Sequence, residues 1–182
     1  RTPHICEKPT AVPPQTADAA LFRITGGKIR VTSILGEVTT LIGAVANATK
    51  LKHNPSGVGS DVDLCATLDI NADAVGQVYS IVGVLATAMK STTLWAVVPA
   101  DNIPAPGLVL GPGDIEIDCA GSSVTGSIKW TLTYELIDAG ANVAYVEEFP
   151  ACLPCSKPSG PTGRRLFLWS VNNGSLLCAS RY

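Results

Sequence analysis

Residues 113–136 carry a two-residue rhythm that few folds accept. Ile115, Ile117 and Cys119 alternate with Asp114, Glu116 and Asp118, and beyond residues 121–126 Ile128, Trp130, Leu132, Tyr134 and Leu136 alternate with Lys129, Thr131, Thr133 and Glu135. Successive side chains of a strand point to opposite faces, so this spacing gives each segment one apolar and one polar face. A helix would scatter the same residues around its axis. The glycines between the runs predict a turn, and the two runs then read as an antiparallel hairpin with one face on a core. Asp114, Glu116 and Asp118 face Lys129 across that hairpin, as cross-strand ion pairs rather than as the acid pair of a glycosidase.

The rhythm recurs upstream. Residues 21–25 are β-prone, Gly26-Gly27 fits a tight hairpin turn, and residues 28–40 return as a long strand in which Ile29 and Val31 alternate with Lys28, Arg30 and Thr32. Gly36 interrupts that strand and predicts a bulge or bend. Val62, Leu64, Ala66, Leu68 and Ile70 share one face of a further strand, residues 71–76 turn, and residues 77–85 run back. Helix signals are thin, because residues 72–89 are dominated by Val, Tyr, Ile and Gly. The expectation is an all-β chain, an antiparallel β-sandwich or barrel, with Trp130, Tyr134, Leu132, Ile115, Ile117, Val31 and Leu68 in its core.

Composition divides the chain. Residues 1–20 are Pro-rich and read as an extended N-terminal arm, residues 21–146 as the sandwich or barrel core, and residues 147–182 as a loop-rich C-terminal arm containing cysteines. The arms are expected to bind neighbours. Only 15% of residues are charged, against about 25% in an ordinary soluble domain. Such a surface is expected to be partly covered by a partner. The net charge of −2 gives no basic field for nucleic acid, and the Arg164-Arg165 pair is too short to supply one. No apolar run reaches the length of a membrane helix, residues 78–89 coming closest. The polar start shows no signal-peptide pattern, and a first residue Arg1 is expected to reflect processing, truncation or an internal start.

No residue reads as catalytic and no cofactor is expected. Asp69, Asn71 and Asp73 open like a calcium loop, but Ala74 and Ser80 stand where Gly and Glu belong, so a polar turn is the better reading. His53 lies in a turn-like stretch and reads as an exposed loop histidine, far from the requirements of a nucleophilic triad. Cys152 and Cys155 form a C-x-x-C that would need His4 and Cys6 to complete a zinc site. Structural disulfides, or free thiols in a turn, are the favoured alternatives. Cys6, Cys65, Cys119, Cys152, Cys155 and Cys178 make an even set with fifteen possible pairings, and a core pair Cys65–Cys119 with staples in the arms is one expectation. Asn47-Ala-Thr49 and Asn173-Gly-Ser175 match the glycosylation pattern, which is short and common by chance.

The stretches LFRITGGKIRVTSILGEVTTLIGAVANATK, DVDLCATLDINADAVGQVYSIVG and GDIEIDCAGSSVTGSIKWTLTYELIDAGANVAYV resemble a group of virion structural proteins of tailed bacteriophages, over roughly residues 20–146. The resemblance implies a β-rich, non-enzymatic virion component present in many copies. The specific expectation is a capsid decoration or cementing protein on the major capsid protein, a homo-oligomer with a trimer favoured. A tail, neck or fibre-associated protein is the alternative. A secreted carbohydrate- or receptor-binding sandwich is a third reading, with Trp95 and Trp169 as its aromatic contributors.

Overall fold

The structure, a computed structural model, describes residues 2–14, 16–92, 107–121 and 125–147, and the backbone of residues 169–172 and 175–178. The chain divides into two compact units, Arg1–Glu148 and Phe149–Tyr182. The described residues contain strands and turns and no helix.

The strands of the first unit are β1 (His4–Ala11), β2 (Asp18–Thr25), β3 (Ile29–Thr40), β4 (Asn47–Pro55), β5 (Val62–Asp63), β6 (Leu68–Asp69), β7 (Val78–Ser80), β8 (Lys90–Thr92), β9 (Leu108–Leu110), β10 (Gly113–Gly121), β11 (Ser127–Leu136) and β12 (Asn142–Tyr145). They form two antiparallel sheets. Sheet A has the order β1-β11-β3-β7-β8, with β9 also on β3; sheet B has the order β12-β2-β10-β4-β5, with β6 also on β4. In the second unit β13 (Trp169–Asn172) pairs antiparallel with β14 (Ser175–Cys178).

The two sheets pack through their apolar faces into a β-sandwich. Phe22, Ile24, Leu51, Ile115 and Ile117 of sheet B and Ile29, Val31, Ile34, Val38, Trp130 and Leu132 of sheet A are all buried in one cluster. Of the seven residues expected in the core, six are buried and Leu68 is half-buried against it. The strand faces follow the alternation in the sequence, because burying one face is what drives each strand onto the other sheet.

The pairing does not follow the expected hairpins. Strand β10 lies in sheet B between β2 and β4, while β11 lies in sheet A between β1 and β3. The 121–126 connection therefore passes from one layer to the other. The same holds for Gly26-Gly27, which joins β2 of sheet B to β3 of sheet A, and for residues 71–76, which join β6 of sheet B to β7 of sheet A. Gly26 has φ +72°, and a Cβ there would lie 2.2 Å from the Gly140 carbonyl oxygen, so this crossing is built for glycine. The expected strand over 61–70 breaks at Leu64 and Cys65, both buried, into the two-residue strands β5 and β6.

The expected N-terminal arm is also largely sheet. Strand β1 pairs with β11 from His4↔Tyr134 to Lys8↔Trp130, and residues 18–20 begin β2. The prolines of this segment sit where an edge tolerates them: Pro9 lies on the outermost strand of sheet A, next to a bulge between Lys8 and Ala11. The unit boundary after Glu148 sets residues 149–182 apart from the sandwich.

Gly36 is neither bulge nor bend. It stands in the β3–β11 ladder directly opposite Trp130, and a Cβ at position 36 would fall 2.7–2.9 Å from three atoms of the indole. The glycine makes room for the largest buried side chain of the sandwich. Gly36→Val is expected to lower stability by about 1–3 kcal/mol through overpacking, read as a lower denaturation midpoint. Gly57→Ala, where a Cβ meets nothing within 4 Å, serves as the control with no comparable loss.

Candidate functional site

The outer face of sheet B carries the densest polar arrangement among the described residues. Inward-facing Leu51, Ile115 and Ile117 alternate with Lys50, Lys52, Asp114, Glu116 and Asp118, which point away from the core. Lys52 Nζ lies 2.7 Å from Asp61 and 3.5 Å from Glu116, and also bonds Asp18. Lys50 Nζ reaches Asp63 at 2.9 Å and Asp118 at 3.6 Å. Arg23 grips Asp114 with two 2.8 Å hydrogen bonds, and Asn54 Nδ2 donates to Glu116 at 3.0 Å. The three carboxylates expected to pair across a hairpin are thus paired, but with cations on β2 and β4. Lys129 instead pairs with Glu7 of β1.

Burial works against the charge of Lys52, yet hydrogen bonds from its ammonium to Asp18 and Asp61 outweigh it and raise its pKa. Carboxylate oxygens of Asp18, Asp61 and Glu116 lie within 4.8 Å of one another. That spacing resembles a cation site, and the Lys52 ammonium supplies the positive charge there.

The other candidate residues are drawn into structure. Asp69 Oδ1 accepts from the Asn47 and Asn71 backbone N–H groups at 2.8 and 3.1 Å, and Asp73 accepts from Tyr79 Oη and Gln77 Nε2. Both carboxylates lace loops together, the work of a polar turn. His53 is not the exposed loop histidine expected: it is buried on β4, its Nε2–H donating to the Gly111 carbonyl at 3.2 Å, and burial lowers its pKa. Asn47 and Thr49 are both wholly buried on β4, which removes this sequon as a glycan acceptor in the folded chain. Asn173 lies outside the described residues.

Cys6, Cys65 and Cys119 are free thiols, so the expected Cys65–Cys119 pair is not formed. The reason is the topology. Cys119 stands opposite Thr49 on one flank of β4, and Cys65 Sγ accepts from the Leu51 N–H at 3.2 Å on the other flank. Two strand spacings, about 9–10 Å, exceed the roughly 7 Å that a disulfide spans. Cys65 instead fills the place of a ladder acceptor where the strand bends away. His4 and Cys6 are two residues apart on β1, with His4 stacked on Tyr134 at 5.5 Å. Cys152 and Cys155 lie outside the described residues, and of Cys178 only the backbone, in β14, is described.

The ends and edges of the sandwich differ in character. At one end the 41–46 and 71–76 loops are joined by hydrogen bonds from Ile42 N to Asp73 O and from Ala72 N to Gly43 O. They present Leu41, Val45 and Val75, each about half exposed. At the other end Val58 is fully exposed beside an open cleft of about 480 Å³ lined by Arg23, Thr25, Asn54, Ser56 and Asp114. The β1 edge is blunted against strand addition by Pro9, the bulge, and the buried inward-facing Lys8, whose Nζ donates to the Val146 carbonyl. Trp130 is buried; Trp95 lies outside the described residues and of Trp169 only the backbone is described.

No protein-family model matches the chain, and neither the curated proteins nor the solved structures yield a match.

Lys52→Met leaves Asp18, Asp61 and the buried Glu116 without their shared cation, and is expected to cost about 2 kcal/mol by chemical denaturation. Lys28→Met, at an exposed pair with Asp138, should cost under about 0.5 kcal/mol. Burial also pushes the Cys119 thiol up to about 11 from 9.0. The folded chain then holds a proton that the unfolded chain loses, so this group's contribution to stability is lost as pH rises from 9 to 11. Iodoacetamide at pH 8 should leave Cys65 and Cys119 unmodified in the native chain and modify both in denaturant, as read by peptide mass spectrometry.

Proposed function

We propose that the chain is a structural component of a tailed-bacteriophage virion, without enzymatic duty, and most specifically a capsid decoration protein that sits on the major capsid protein as a small symmetric oligomer. The observation that carries this reading is the surface. Leu41, Val45 and Val75 crown one end, Val58 stands at the other, and Ile5 and Val109 lie on the outer side of sheet A. The charged groups of the sandwich, in contrast, are mostly engaged with one another. Exposed aliphatic residues gathered on rigid loop ends suit a chain whose resting state is an interface. A two-sheet core with its chain crossing between layers supplies the stiffness that a cementing role demands.

The likeness of residues 20–146 to virion proteins supports the same reading. The tail or neck alternative differs in stoichiometry: hundreds of copies per particle belong to the capsid, and small multiples of three or six to the tail or neck. Quantitative mass spectrometry of purified particles from the phage that encodes the chain should find it at capsid-like abundance. Its absence from the particles overturns the reading. Leu41→Asp with Val75→Asp should leave the melting profile nearly unchanged, since both sites are exposed, and should abolish rebinding to particles stripped of the protein.

A further inference from the structure

Charge is divided unevenly along the chain. Residues 149–182 hold Lys157, Arg164, Arg165 and Arg181 and no carboxylate, while residues 1–148 hold the other nine lysines and arginines and all fifteen carboxylates. The division falls at the boundary of the two compact units, between Glu148 and Phe149. Each unit therefore has its own sign, and the modest net charge of the whole chain conceals it.

Within the first unit the acidic surplus has a definite address. The outer face of sheet B presents Asp18, Asp61, Asp63, Asp114, Glu116 and Asp118 against Arg23, Lys50 and Lys52. Its three cations are already held by its own carboxylates, each lysine shared by two or three of them. Six carboxylates against three cations leave the face a net surplus of negative charge, although each carboxylate has a cation within reach. Strands β2 and β10 carry four of the six carboxylates, Asp18, Asp114, Glu116 and Asp118, which are therefore held in a fixed array. Asp61 and Asp63 rim the array with side chains 43% and 51% exposed, open to an incoming cation.

We infer that this face is a docking surface for a second copy of the chain, engaged through that copy's basic residues 149–182. Two features favour a second copy over an unrelated basic protein. Donor segment and acceptor face are encoded one to one, so supply and demand match at any concentration. The segment also lacks any carboxylate that would be repelled by the face. Because donor and acceptor are different surfaces, the contact is head-to-tail, and it closes into a ring or extends into a chain. A ring of three such contacts is one way to build the trimer favoured above. The inference does not depend on the virion reading, since self-association is measured without particles.

Sedimentation velocity of the full chain, with reductant to exclude disulfide-linked species, is the test. At about 0.05 M salt oligomers are expected, and at about 0.5 M the dissociation constant should rise about tenfold or more. Arg164→Glu with Arg165→Glu removes the donor; Asp61→Lys with Asp63→Lys removes the acceptor. Each variant alone should be monomeric. Mixed, they keep one working donor and one working acceptor and should form a one-to-one dimer. The donor variant leaves the sandwich untouched, so it decides the matter even if the acceptor variant folds poorly. A monomer at low salt overturns the inference, including the case in which that monomer still binds polylysine and the face serves another basic partner. Oligomers indifferent to salt and to Arg164→Glu/Arg165→Glu overturn it equally.

Discussion

The indole of Trp130 fills the space above Gly36, and much of the sandwich depends on that fit. Trp130 is the largest buried side chain, Tyr79 stacks on it at 6.5 Å, and both belong to sheet A. Strand β11 can lie beside β3 at ladder distance only because position 36 has no side chain. With β11 fixed there, β1 has its own partner along the edge, and the inner face of sheet A is complete. Sheet B then has an apolar layer to cover, through Phe22, Leu51, Ile115 and Ile117. A sheet with one apolar face has no stable existence without that second layer.

The burial of one face leaves the other to be solvated. On sheet B this is done by sharing cations: Lys52 serves three carboxylates and Lys50 two. Exposed pairs such as Arg23–Asp114 add little to stability one at a time, and the buried Lys52 adds more. What they do is fix the positions of many like charges on a rigid surface. The face becomes a defined electrostatic feature rather than a diffuse one, and recognition is where such a feature acts most strongly. The apolar loop ends contribute the complementary part, contact area without charge.

The strand faces were legible in the sequence because alternation is a local property. Ile115, Ile117, Trp130 and Leu132 read as inward and are inward, and the all-β class follows from them. Partner choice is not local. Residues 113–136 look like a hairpin, but a turn of six residues can also step between layers, and nothing in the alternation of β10 tells it to prefer β4 over β11. The same ambiguity misplaced Gly26-Gly27 and the ion pairs of Asp114, Glu116 and Asp118, whose cations come from β2 and β4. Strand β1 was obscured by Pro9, which signals a linker in isolation and an edge in context. His53 was obscured by its neighbours: Asn54, Pro55 and Ser56 read as a turn, which begins only after the histidine has been buried by β4. The turn character of Asp69 and Asp73 is local and legible, whereas the role of Gly36 is not, since the indole it accommodates is far away in the chain.

The assignment of β10 and β11 to opposite sheets is the claim from which the acidic face and the unpaired Cys65 and Cys119 follow. Backbone nuclear Overhauser contacts in the labelled chain test it most directly. Cross-strand contacts are expected between β10 and β4, as at Ile117 and Leu51, and between β11 and β3, as at Trp130 and Gly36. A ladder of contacts joining β10 to β11 instead, with Asp118 beside Lys129, contradicts the sandwich described and with it every surface built upon it.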